Sequence, residues 1–190
     1  MPNDDDWLEM YRSTNPTVRL RAARGLVERG ATAPRPTLLE ILDTLYGAGL
    51  GAATEKVLLK RRDPEPIGEM LHRLHSPHRF VREVAVAVLA KAGGAEAARG
   101  LVEALSDEVG WVRRAAAFRL AQIAEPATEG ALRQAAARPE NQTANIKMGF
   151  DVALREINNP SRRSPDERIA DLTRKAYASI HTRRDRARPD

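Results

Sequence analysis

Three stretches of this 190-residue chain align without gaps: Val-Arg-Leu-Arg-Ala-Ala-Arg-Gly-Leu at 18–26, Val-Arg-Glu-Val-Ala-Val-Ala-Val-Leu at 81–89, and Val-Arg-Arg-Ala-Ala-Ala-Phe-Arg-Leu at 112–120. Each begins Val-Arg, carries Ala at the fifth place and ends in Leu. The second and third start 31 residues apart and the first and second 63, so a degenerate copy belongs near residue 49, where Ala53 and Val57 take the small and apolar places. A fifth copy at 146–154 is displaced by 34, with Ile146, Phe150, Leu154 and Ile157 at helical spacing. Such a period constrains the fold more than any other feature. A unit that recurs at this length is one supersecondary element, and it buries its apolar stripe only by stacking on its neighbours.

Each copy follows another amphipathic stretch, at 7–12, 37–45, 67–74, 95–105 and 128–137, so the unit is a helix pair. Pro16, Pro36, Pro77, Gly93-Gly94, Pro126, Pro139 and Pro160 are expected between helices rather than inside them. Asn15, Ser76, Ser106 and Asp107 stand just ahead of second helices, where side-chain oxygens cap free N–H groups. The low aromatic content of 4% also favours helices. Trp7, Leu8 and Tyr11 are expected to close one end of the stack. Ile169, Leu172, Ala176 and Ile180 lie at helical spacing and predict a capping helix over 161–181, followed by a basic, flexible tail at 182–190.

The unit at 95–123 resembles a HEAT repeat, particularly the short bacterial type first associated with phycobilin lyases. Asp107, Val112, Arg113 and Ala116 carry the resemblance. It is good over 64–157, weaker over 1–62 and absent from the tail. It implies an all-α, right-handed α-solenoid of about five helix pairs over 1–160, with the second helices lining a concave surface. It also implies that Arg19, Arg82 and Arg113 form a ladder bridging neighbouring repeats through an acid such as Asp107.

Formal charge is divided between the two rows of helices. The second-helix segments 16–30, 51–62, 78–91, 109–124 and 146–157 sum to +11, and the first-helix segments 4–12, 36–46, 64–74, 95–105 and 127–138 to −6. Combined with the resemblance, this implies a basic groove and an acidic back, and a groove of one sign concentrates partners of the other. Arg21, Arg24, Lys56, Lys60, Arg79, Arg114 and Arg119 are the second-helix cations that a ladder does not explain. Phe80 and Trp111 hold the same repeat position, just before the Val-Arg pair, and are expected to adjoin on one rim. Aromatics beside arginines are the usual composition of a binding hot spot. The candidate partner-binding residues are therefore Arg79, Phe80, Trp111, Arg114, Arg119, Lys56 and Lys60.

The sequence favours no catalytic residue and no cofactor. Absence of cysteine removes disulfides, thiolate metal sites and cysteine nucleophiles. His72, His75 and His78, with Glu69 a turn earlier, are the best metal candidates, but His78 follows Pro77 outside the helix and a second carboxylate is lacking. The His-Glu pairs of the HEAT-repeat deoxyhypusine hydroxylases have no counterpart here. Gly47 to Gly51 reads as an inter-helix turn, since no Lys-Ser/Thr ending makes it a phosphate loop. No run is long enough to span a bilayer and residues 1–10 form no apolar leader, so a cytoplasmic protein is expected. The expected function is a non-catalytic scaffold or adaptor holding an acidic partner protein on its second-helix surface. The alternative is a nucleic-acid-binding, repair-related protein like the HEAT-like alkylpurine DNA glycosylases. Against that class, no second-helix Asp stands beside Trp111.

Overall fold

A computed structural model of the chain describes residues 2–45, 49–61, 66–123 and 126–158. Ten α-helices and no strand occur among them: α1 (Asp4–Tyr11), α2 (Pro16–Arg29), α3 (Arg35–Leu45), α4 (Gly51–Lys60), α5 (Ile67–Arg73), α6 (Arg79–Ala92), α7 (Gly94–Ala104), α8 (Gly110–Ile123), α9 (Glu129–Ala136) and α10 (Ala144–Asn158). They form the five helix pairs expected from the period, and the fold class is that of an α-solenoid. The capping helix and tail expected over 161–190 lie outside the described residues. The chain divides into two compact units, Met1–Lys91 and Ala92–Asp190.

Local chemistry explains several helix ends. Asn3 caps α1 by accepting from the Asp6 N–H at 2.9 Å, while the Asp6 carboxylate accepts from the Asn3 N–H at 2.8 Å. This reciprocal capping box satisfies two donors that the helix cannot. Asn15 Oδ1 accepts from Thr17 N at 2.9 Å, and Pro16 opens α2 in the first turn, where its missing N–H costs nothing. Pro36 likewise falls in the first turn of α3 rather than before it. Ser76 Oγ accepts from His78 N and Asp107 Oδ1 from Val109 N, as turns entering α6 and α8 require. Ser106 does something else: its hydroxyl accepts from Arg138 Nη1 at 2.9 Å, tying the α7–α8 turn to the chain after α9. Gly93 and Gly94 join α6 to α7 with φ of 67° and 78°, a pair of left-handed residues that glycine adopts without a Cβ clash.

In the first unit, α1 lies on α2 through the Trp7 ring, which approaches Gly25 so closely that a Cβ there would sit 2.9 Å from it. Arg29 of α2 pairs with Asp4 of α1. Arg73 of α5 forks onto Asp43 of α3 at 3.0 and 2.7 Å, so first helices of successive pairs are tied by a bidentate ion pair. Lys91 near the end of α6 donates to the Leu58 and Arg61 carbonyls at 3.2 and 2.6 Å at the end of α4, where the Leu58 carbonyl also accepts from Arg61 N. Tyr11 is buried, and burial first and the nearby Glu40 also push its phenol above the ordinary value of 10.0, against the opposing hydrogen bond with Thr44. In α6, Val81, Arg82 and every residue from Val84 to Ala90 are buried.

In the second unit, α7 packs on α8, α8 on α10 and α9 on α10. Leu101, Leu105, Val112, Ala116, Ala117, Leu120, Leu132, Phe150 and Ala153 form its core. Small residues dominate the α8 face because they let helix axes approach closely.

Candidate functional site

The first turns of α6 and α8 carry the two exposed large apolar side chains among the described residues, Phe80 at 44% and Trp111 at 46% exposure. Each is the position the repeat alignment singled out. Each also lies under an arginine of its own helix. The Arg79 guanidinium carbon is 4.5 Å from the Phe80 ring centroid, and that of Arg114 is 5.1 Å from Trp111. At these distances the cation is drawn to the ring face.

Arg114 is more than a surface cation. It also lies 5.2 Å from the Phe118 ring, because residues 111, 114 and 118 share one face of α8 at helical spacing. Its stem crosses Gly149 of α10 so closely that a Cβ at 149 would be 2.6 Å from Arg114 Cγ. Gly110 makes a second close approach, to Ile146. The guanidinium of Arg114 thus lies near both rings, while its stem crosses the α10 backbone at Gly149. Neither Phe118 nor Gly149 was singled out from the sequence, though the stripe 111, 114, 118 would have found Phe118. Gly149→Ala should displace Arg114 and lower stability by about 1–3 kcal/mol, the cost of overpacking a close contact. Urea denaturation followed by tryptophan fluorescence measures this, and an unchanged midpoint would show that the contact is not close.

The ladder arginines diverge. Arg82 and Arg113 are buried at 5% and 7% exposure, whereas Arg19 at the same repeat position is exposed. Arg82 donates to the Ser76 carbonyl at 2.8 Å. Arg113 donates through Nη1 to the Asp107 and Glu108 carbonyls at 2.7 and 3.0 Å, through Nη2 to the Glu140 carbonyl at 3.1 Å, and through Nε to Asn141 Oδ1 at 2.6 Å. The bridge between repeats thus includes backbone carbonyls and a fully buried asparagine. Asn141 Nδ2 in turn donates to the Ala135 carbonyl at 2.8 Å, closing the end of α9.

Among the remaining second-helix cations, Arg21 and Arg24 on α2 and Lys56 and Lys60 on α4 are exposed. Arg119 is half-buried and reaches Gln122 Oε1 at 3.4 Å. The histidines are not gathered into a metal site: His72 and His75 are exposed around the end of α5, His78 precedes α6, and no three His, Asp or Glu side chains among the described residues converge on a common point. No described helix is long and apolar enough to cross a membrane.

A family model describing HEAT repeats matches residues 48–121 and again 65–147. No curated protein matches the chain.

Proposed function

The chain belongs to the HEAT-repeat family, and from that premise we propose that it is a non-catalytic adaptor whose second helices hold an acidic partner protein. The observation that carries this reading is the pair of half-exposed rings, Phe80 and Trp111, each under an arginine. A ring with a cation on its face offers apolar area and a positive charge at one point, which suits an acidic segment bearing apolar side chains. In the first unit Arg79 beside Phe80, with Lys56 and Lys60 on α4, supplies positive charge, and in the second unit Arg114 and Arg119 on α8 do so. Pre-packed helices lose little conformational entropy on binding.

The test uses a fluorescein-labelled peptide of glutamates interspersed with leucine and phenylalanine, and beside it a labelled DNA duplex. The peptide should remain bound at about 0.15 M salt, and Trp111→Ala or Phe80→Ala should weaken it about tenfold or more. The duplex should bind only at low salt, with the steep salt slope of phosphate neutralisation. Duplex binding that persists at physiological salt, with no peptide binding, would replace this reading with the nucleic-acid one. Peptide binding indifferent to both ring deletions would remove the rings from the site.

A further inference from the structure

In the unit Ala92–Asp190, helix α7 and the 3-10 turn Pro126–Thr128 bound an open groove of about 290 Å³. Ala95, Ala98 and Val102 line it from α7, recurring at the spacing that puts them on one helix face, and Ala127 and Thr128 line it from the turn. The groove exists because these residues are small. Larger side chains at 95, 98 or 127 would fill it. Arg99 stands beside them on the same face, exposed, and forms no hydrogen bond or ion pair with the described residues.

We propose that this groove is a binding site for a small amphipathic carboxylate, with the aliphatic chain over Ala95, Ala98, Val102 and Ala127 and the carboxylate on Arg99. Its volume is near the lower end of small-ligand pockets, which begin at about 300 Å³. The floor is apolar apart from Thr128, so it rewards burial of a hydrocarbon chain. A single guanidinium at the edge matches a single planar carboxylate, which it grips with two parallel N–H donors. A nucleotide or polyphosphate needs further donors that the lining does not provide. This site is separate from the proposed partner surface and does not depend on it.

Titration of the full-length protein with octanoate, followed by amide NMR shifts, tests the proposal. Saturable shifts are expected at residues 95–102 and 127–128. Octanol, which has the chain without the charge, should bind at least about tenfold more weakly, as should octanoate to Arg99→Glu. Ala95→Trp, at an exposed position that folding tolerates, should fill the groove and abolish the shifts, while Trp111→Ala should leave them intact. Shifts that fail to saturate, equal binding of octanol and octanoate, or binding unchanged by Ala95→Trp would each overturn it.

Discussion

Arg113→Leu should destabilise the unit Ala92–Asp190 by about 3 kcal/mol, the scale set by losing charge-assisted hydrogen bonds and leaving buried acceptors open. Arg113 is 7% exposed and donates to three carbonyls and to Asn141 Oδ1. Leucine fills part of the space but offers no donor. Asn141, with no exposed surface, then keeps an acceptor that water cannot reach. The loss should appear as a lower urea midpoint, with hydrogen exchange accelerated first around the α9–α10 turn. Arg113→Lys should recover only part of it, since one ammonium cannot reproduce the planar fork across carbonyl and amide. Asn141→Leu should cost a similar amount, and the double variant less than the sum, because the two side chains form one network. A cost near zero for Arg113→Leu would mean that the arginine is dispensable and the bridge only incidental.

Phe150→Ala should cost about 3–5 kcal/mol, the usual range for emptying an aromatic site in a core. Phe150 is 1% exposed on α10, in the unit whose core also contains Val112, Ala116, Ala117 and Leu120 of α8. Alanines and a valine cannot collapse into a phenyl-sized cavity, so the void persists. Urea denaturation of the full chain measures the loss, and a drop below about 1 kcal/mol would show that the site relaxes or is wet. Phe80→Ala and Trp111→Ala provide the contrast. Those rings are half-exposed, so their removal should cost about 1 kcal/mol or less while still affecting partner binding. Two classes of aromatic position therefore separate by measurement: one that holds the fold and one that the fold presents.

The helix pairs were legible because their signals are local or repeat at short range. Apolar residues three and four apart predicted the helices at 37–45 and 95–105, observed as Arg35–Leu45 and Gly94–Ala104. Asn15 caps α2 where its position before a second helix placed it, whereas Asp107 accepts from Val109 N in the turn just ahead of α8. The exposure of Phe80 and Trp111 agrees with their shared place at the start of a second helix. Other features depended on side chains distant in sequence. Arg73 reaches Asp43 and Arg113 reaches Asn141, partners 30 and 28 residues away that no local pattern marks. The groove beside Arg99 was equally invisible, because Ala95 and Ala98 read as ordinary helix formers until the Ala127–Thr128 turn stands opposite them.

The sequence by itself determined the period, the helix pairs and the positions at which arginines and aromatics recur, since these follow from backbone propensity and the spacing of apolar residues along one chain. Only the tertiary structure decided what each arginine does. Arg19, Arg82 and Arg113 share one repeat position, yet the first is exposed and the other two are buried. Arg113 and Arg114 are neighbours in sequence, yet one turns into a network of carbonyls and the other lies across Gly149 with its guanidinium over two rings. Successive helical residues point about 100° apart, so what each meets is set by the helix packed opposite. A guanidinium is buried only where carbonyls and amides from another part of the chain satisfy its donors.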